Sequence, residues 1–364
     1  RGLVPAAPLA DLAGVPRPAF EDLPLGRYLS PEPVLPYDAS RGCFWGRCAF
    51  CHYGPVACGT AAYRERPMGS IGEDLAHFRT LGARVVYLSH DTLAPALGDR
   101  LAGLVEDRLP GLRWASDLRP DRVLDPGRCA RWARGGALAF SLGLESGSQR
   151  VLDLMDKGLR VEEASAAVRS LAQAGLAVEA MLFLGFPTET AAEARKTLEF
   201  LDEHHPFLSL FMCGTFGLTE GSRVAREPGR FGVEEVYRVQ GDELRTALFW
   251  TPGRPGPTPR ERQVLEARLE ALSARWRLRP YPWAGSLSTA HTLLWVDRHG
   301  PAVFREAGPA RPGSVRPRLR TRHDLERLRA AAMELEAAAW NRMIFKDRRV
   351  GREEWRRAVR ELGR

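Results

Sequence analysis

From Val34 onward, short apolar runs alternate with longer stretches in which apolar residues recur every three or four positions. Runs at 34–37, 84–91, 112–118, 137–144, 178–184 and 208–218 predict strands, and their nearly continuous apolar character fits burial on both faces. The intervening periodic stretches predict helices. The first runs from a cap at Ser70 through Leu75, Phe78 and Leu81 to Gly82; the others lie at 95–108, 126–132, 161–174 and 190–203. Strands alternating with helices of this length imply repeated βαβ units and a parallel sheet. Six units are too few for a closed eight-strand barrel, so the expected fold is α/β, a partial (β/α)6 TIM-like barrel over 34–220.

The flanks read differently. Residues 1–33 carry seven prolines and no sustained period, which predicts a linker or wrapping arm. Beyond 221 the βα rhythm fades, and 221–364 is expected to be a separate, mainly helical accessory region. Thr258, Pro259 and Glu261 form a strong helix start, followed by Leu265, Leu269, Leu272 and Trp276 on one face. A loop-rich stretch to 322 holds Trp283, His291 and Trp295, and two Arg- and Glu-laced helices are expected near 323–343 and 351–362.

Composition bounds the function classes. No apolar run approaches the ~20 residues needed to span a membrane, the opening shows no signal-peptide pattern, and a chain that begins on Arg1 predicts a missing upstream part. A clustered set among six cysteines points to a reducing, cytoplasmic setting. The net charge of +8 is compatible with nucleic acid, but interspersed acids break any long basic stripe and argue against it.

The chemistry centres on Cys43, Cys48 and Cys51, in one loop after the first strand. Three thiolates this close cannot all form disulfides. Two readings follow: structural zinc with Cys58 as a fourth ligand, or three irons of a cubane iron–sulfur cluster whose fourth iron stays open. Phe44, Trp45 and Phe50 favour the cluster, because they supply an apolar shell. Cys129 and Cys213 lie in apolar stretches and read as core thiols. In parallel sheets the reactive groups lie at the carboxyl ends of strands. There the sequence places the cysteine loop, Ser89-His90-Asp91, Glu145-Ser146-Gly147 and Gly185-Phe186-Pro187-Thr188-Glu189. The plainer readings are a helix cap for Glu145, a cap at Thr188 with Glu189 as first-turn acid, and a structurally satisfied His90.

Taken together, the cysteine loop with Phe50 before its last Cys, the run 142–152 and the run 183–190 resemble the radical S-adenosylmethionine (radical SAM) superfamily over about 34–222. The run 23–31 leading into Ser40-Arg41-Gly42-Cys43 is similar to the subgroup with an upstream cobalamin-binding domain. Two departures stand out. The first gap in the cysteine motif is four residues instead of three, with Gly46 expected to absorb the extra one in a left-handed turn, and Ser89-His90-Asp91 replaces a glycine-rich motif.

The resemblance implies a 4Fe–4S cluster on Cys43, Cys48 and Cys51, and S-adenosylmethionine cleaved reductively to a 5′-deoxyadenosyl radical. It places Phe50 beside the cofactor, Ser89 and Asp91 at the methionine end, Arg119 or Arg150 on the methionine carboxylate, Glu145 with Ser146 at the ribose, and Gly185 and Pro187 at the adenine. It further implies an electron donor such as a flavodoxin or ferredoxin and a small-molecule or peptide substrate. The expected reaction is methyl transfer to an unactivated carbon, with cobalamin held by a region outside these residues. Cobalamin-free methylthiolation, rearrangement or peptide modification is the alternative within the superfamily. A zinc-containing nucleic-acid-binding protein is the alternative outside it.

Overall fold

The computed structural model describes residues 9, 11–28, 30, 32–52, 62–238, 248–276 and 285–305. Cys58, Trp283 and the two helices expected near 323–343 and 351–362 lie outside them.

Six strands form one sheet: β1 (Val34–Tyr37), β4 (Val85–Leu88), β5 (Arg113–Leu118), β6 (Ala137–Glu145), β7 (Ala177–Leu184) and β8 (Leu210–Thr215). They are parallel and pair in that order. Between β1 and β4, β2 (Ser40–Arg41) and β3 (Arg64–Glu65) make a small antiparallel ribbon, followed by α1 (Met68–Thr80). The later crossovers carry α2 (Pro95–Arg108), α3 (Pro126–Arg134), α4 (Gln149–Leu154), α5 (Val161–Gln173) and α6 (Ala191–His204). Beyond β8 come α7 (Arg223–Arg226), the hairpin β9 (Val233–Tyr237) and β10 (Phe249–Pro252), α8 (Pro259–Ser273) and α9 (Ala290–His299). No helix among the described residues is long and apolar enough to cross a membrane.

The two faces of the sheet differ because successive strand residues point to opposite sides. One face carries Trp114 and Phe140, which pack with Trp132 of α3 at ring separations of 5.4–6.1 Å. The other carries the polar registered set Asp117, Ser141 and Glu179 on β5, β6 and β7. The helix-facing side therefore supplies most of the core, and the opposite side is free for chemistry.

Several local expectations need correction. α1 begins after Pro67, not at Ser70, because the extended residue before the helix is that proline. Thr190, not Thr188, caps α6, in a reciprocal capping box with Glu193. The short helix α4 had no apolar period long enough to read.

The C-terminal stretch is also less separate than its lost rhythm suggested. Trp276, Leu287, Leu293, Leu294, Trp295 and Phe304 belong to the same buried core as the sheet. His291 and Trp295 sit in α9, a helix where a loop was expected. The amino-terminal arm does wrap: Arg66 donates to the Val15 and Pro16 carbonyls, and Phe20 packs edge-on against Phe78 at 5.3 Å.

One close approach holds β6 to α6. The Gly147 amide donates to Thr197 Oγ1 at 3.0 Å, and a Cβ at Gly147 would lie 2.5 Å from the Lys196 carbonyl oxygen. Gly147→Ala is therefore expected to cost about 1–3 kcal/mol as an overpacked contact, read as a lower urea midpoint with an unchanged slope. An unaltered midpoint would refute the contact.

Candidate functional site at the carboxyl ends of the strands

Parallel pairing in sequential order brings every strand's carboxyl end to one edge of the sheet. The cysteine loop follows β1, Ser89 to Asp91 follow β4, Arg119 follows β5, Glu145 and Ser146 end β6, and Gly185 to Glu189 follow β7. The sequence-predicted residues thus share one rim.

The cysteine loop is clamped at both ends. At its root, the buried Ser40 hydroxyl contacts His90 Nδ1 at 3.3 Å, and His90 Nε2 meets Ser116 Oγ at 2.8 Å. Burial lowers the His90 pKa to about 4, so it is a neutral strut between the loop and β5. Asp91 takes a backbone hydrogen bond from Gly42, and burial outweighs that bond and raises its carboxyl pKa. Ser89 is exposed and donates to Asp38 at 2.9 Å. Within the loop, Gly46 has φ +63°, the left-handed turn expected to absorb the extra residue, and its amide points at Cys43 Sγ from 3.5 Å.

The far side of the loop is held by the segment after α4. Trp45 Nε1 donates to the Asp156 carbonyl at 3.0 Å, Ala49 N donates to the Met155 carbonyl at 2.7 Å, and Arg47 pairs with Asp156 at 3.2 Å. Arg223 pairs with the same carboxylate at 2.8 Å and also donates to the Arg47 carbonyl. Arg119 stacks on the Trp45 ring at 4.2 Å while donating to the Gly158 carbonyl at 2.8 Å. This clamp was not legible in the sequence, since its partners lie from 39 to 176 residues apart.

Lys157 is the functional residue that sequence reasoning missed. It is buried, pairs with Glu145 Oε1 at 2.8 Å and sits 5.7 Å from the Phe50 ring. Burial opposes its charge, yet Glu145 and Cys48 outweigh burial and raise its pKa. The nearby thiol responds in turn. Burial raises the Cys48 pKa, with Lys157 and Arg119 pulling it back toward the thiolate. The one available signal was compositional: Lys157 is one of three lysines in an arginine-dominated sequence.

At the end of β7, Glu189 turns back and accepts the Gly185 amide; it is not the exposed first-turn acid of α6. Burial raises its pKa to about 7. Pro187 is buried. Arg150 spends its donors on Glu193 and on the Thr188 carbonyl at 2.9 Å, leaving Arg119 as the guanidinium beside the thiols. Ser146 accepts the Ser148 amide at 3.1 Å and contacts Thr197, so it braces the turn. Helix α4 starts after Ser148, which excludes Glu145 as its cap. Phe50 packs edge-on against Phe183 at 5.3 Å. Cys129 is buried as expected; Cys213 is only half-buried, and burial lifts its thiol pKa to about 12.

Backbone strain gathers here too. Glu145, Asp156 and Thr188 have φ of +70°, +51° and +68°, and among the described residues they are the only non-glycine positions with positive φ. Glu145 ends β6 at the rim, Thr188 lies in the turn after β7, and Asp156 anchors the cysteine loop.

Residues 37–201 match the radical SAM superfamily. This segment is a radical SAM domain.

Among curated proteins, an uncharacterized methyltransferase of Pyrococcus horikoshii is 26% identical over 193 residues, spanning 51% of this chain and 40% of that protein. The ribosomal protein methylthiotransferase RimO of Frankia alni is 28% identical over 288 residues, spanning 68% of this chain and 47% of that one. The chain thus spans less than half the length of either relative. Among solved structures, the radical SAM methyltransferase TsrM of Kitasatospora setae, with cobalamin and a 4Fe–4S cluster bound, aligns at TM-score 0.52 and 15% identity, covering 66% of this chain and 52% of TsrM. The cobalamin-dependent enzyme OxsB aligns at 0.50 and 14%, covering 72% and 50%. Both alignments bear on the fold, the six-stranded parallel α/β arrangement of the radical SAM domain.

A radical SAM domain implies a 4Fe–4S cluster and S-adenosylmethionine. The donor set fits. Cys43, Cys48 and Cys51 are half-buried thiols on one clamped loop, with the cations of Lys157 and Arg119 close enough to act on Cys48. Among the described residues no three ligand side chains converge on a single-ion position. A cluster differs, since each thiolate binds its own iron.

The buried Glu189 gives a pH signature. The folded state keeps its proton up to about pH 7, while the unfolded chain releases it near 4.5. Its contribution to stability is therefore complete below 4.5 and lost as pH rises through 7. Glu189→Gln retains an acceptor for Gly185 and stays neutral. It is expected to match the wild type at pH 5 and exceed it by about 2–3 kcal/mol at pH 8, as measured by urea unfolding at both values. An equal difference at the two pH values would contradict the buried acid.

Proposed function

We propose that this chain is the radical-generating segment of a cobalamin-associated radical SAM methyltransferase. The observation that carries the reading is the clamped triplet Cys43, Cys48 and Cys51, seated at the strand ends with Lys157 and Arg119 beside it. When bound, an open-site 4Fe–4S cluster chelates S-adenosylmethionine and supplies the electron that breaks its carbon–sulfur bond.

The protein's part is to bind, orient and shield. Lys157 and Arg119 offset the negative charge that thiolates bring to the loop. Arg119 is the better partner for the methionine carboxylate, because Arg150 is engaged elsewhere. The bulge at the end of β6, between Gly143 and Glu145, turns the Glu145 carboxylate into the rim. Lys157 holds one of its oxygens, and the other is suited to accept from ribose hydroxyls. The Gly185–Pro187 turn, braced from behind by Glu189, is the adenine side, and Phe50 closes the apolar wall. Ser89 and Asp91 are assigned to the methionine end by position, and Ser146 supports the ribose side through the turn it braces.

The cobalamin association rests on the fold likeness to TsrM and OxsB, whose cobalamin is part of those proteins. In this reading cobalamin sits on a part of the protein outside the present sequence. The electron donor is a flavodoxin or ferredoxin. Methylthiolation is the second reading, favoured by the match to RimO across 68% of the chain. The zinc-containing nucleic-acid binder is disfavoured by the match to the radical SAM superfamily.

Two sets of variants test the assignment. Cys43→Ala, Cys48→Ala and Cys51→Ala are each expected to abolish assembly of an oxygen-sensitive cluster, read as iron and sulfide content, whereas Cys58→Ala retains it. Equal iron loss in the Cys58 variant would sink the three-ligand argument. Glu145→Ala and Lys157→Met are expected to keep the cluster ligands but weaken S-adenosylmethionine binding by roughly tenfold or more, the scale of a hydrogen bond to a charged group. Anaerobic calorimetric titration measures this, and unchanged affinity in both would move the ribose site elsewhere.

A further inference from the structure

Below the rim, the face of the sheet opposite the crossover helices carries a polar strip the cofactor chemistry does not use. Asp117, Ser141 and Glu179 stand in register on neighbouring strands, and Tyr87 of β4 reaches across to join them. The Tyr87 hydroxyl donates to Asp117 Oδ1 at 2.8 Å, and Ser141 donates to Glu179 Oε2 at 2.7 Å. The same Glu179 oxygen accepts Ser286 Oγ at 3.0 Å and the Leu287 amide at 3.3 Å, so the C-terminal segment forms the floor.

Two acceptors in this strip have no partner among the described residues. Glu179 is fully buried, yet its Oε1 has none among the described residues. Buried polar groups are ordinarily satisfied, so an orphan acceptor asks for an explanation. Asp117 is half-buried, and its Oδ2 accepts nothing from the described residues. Above the strip the walls turn apolar and open. Met181 and Phe183 are half-buried, and Met212, registered beside Met181, is 36% exposed. Large apolar side chains left open on an inner sheet face fit a ligand chamber.

Asp117 joins this chamber to the rim. It lies within electrostatic reach of Glu145 above and of Glu179 below. The groups facing it are the Tyr87 hydroxyl from β4, Ser141 and Glu145 from β6, and Glu179 from β7. Burial raises the carboxyl pKa of Asp117 to about 6 and of Glu179 to about 7. Such a pair gains from a bound cation, which relieves both the burial and the mutual repulsion.

We propose that Asp117, backed by Glu179 and oriented by Tyr87, is the substrate-recognition group of the chamber, and that it selects a substrate with a protonated amine on an apolar body. The amine is held by the carboxylate, and the apolar part lies along Met181, Phe183 and Met212 toward the rim. This rests on the radical SAM site lying at the strand ends, since that site gives the chamber its direction.

The test is anaerobic calorimetric titration of the reconstituted full chain with three probes of similar shape: phenethylamine, 2-phenylethanol and 3-phenylpropionate. The amine is expected to bind at least tenfold more tightly than the alcohol, and the carboxylate not to bind. Asp117→Asn, which still accepts from Tyr87, is expected to reduce amine affinity to that of the alcohol. Tyr87→Phe removes the hydroxyl that orients Asp117 and is expected to narrow the amine preference without abolishing it.

Equal binding of the three probes by the wild type overturns the proposal, as does no amine binding up to millimolar concentration. These wild-type results hold whether or not a variant folds. An unchanged preference in Asp117→Asn also overturns it. Iron content and S-adenosylmethionine binding, measured on the same samples, report separately on the cofactor site. Their failure would sink the radical SAM reading, whereas their persistence with no amine selectivity would sink only the chamber.

Discussion

The buried pairing of Lys157 with Glu145 is the contact on which the arrangement of the rim depends. A lysine taken out of water is costly unless a carboxylate and further dipoles compensate it. Here the compensation comes from Glu145 on one side and from Cys48 on the other. One cation thereby fixes the carboxylate proposed for the ribose and draws the cysteine loop toward thiolate chemistry. Its neighbours Met155, Asp156 and Gly158 all bind that loop or the guanidinium stacked on it. Four consecutive residues thus join the end of β6 to the motif after β1.

Strain accompanies this arrangement. Glu145 adopts left-handed backbone at the end of β6 and Thr188 in the turn after β7, and Asp156 does so where it anchors Trp45 and Arg223. Each such residue costs of order 1–3 kcal/mol and persists only when its surroundings over-determine it. The surroundings do so: Arg150 braces Thr188, Lys157 braces Glu145, and two arginines brace Asp156. Most of the charged side chains near the rim are engaged in holding geometry. Arg119 and Glu145 are held as well, by Gly158 and Lys157, in positions beside the cysteine loop.

The polar floor ties the sheet to the segment after residue 285. Glu179 accepts from Ser286 and Leu287, so the segment after residue 285 closes the face of the sheet that the crossover helices leave open. Packing of Trp276, Leu293 and Trp295 into the common core supplies the apolar part of the same contact. The region without βα rhythm is therefore a structural part of the chamber.

The sequence by itself determined the six strands, the crossover helices other than the short α4, and the rim on which reactive groups gather. Near-continuous apolar runs, helical periodicity and cap chemistry such as Thr258 with Glu261 are local signals, and parallel pairing follows from their alternation. The cysteine spacing and the left-handed role of Gly46 were legible for the same reason. Only the tertiary structure decided which charged residues face the site. Lys157 and Arg150 look alike as isolated cations on polar stretches, yet one is buried beside Cys48 and the other is tied to Glu193. Likewise Glu189 reads as a surface acid of a helix start until its carboxylate folds back to Gly185. A side chain's charge is written in the sequence, but its burial depends on how strands and helices pack around it, which no local pattern encodes, even where its partner is as near as Gly185 is to Glu189.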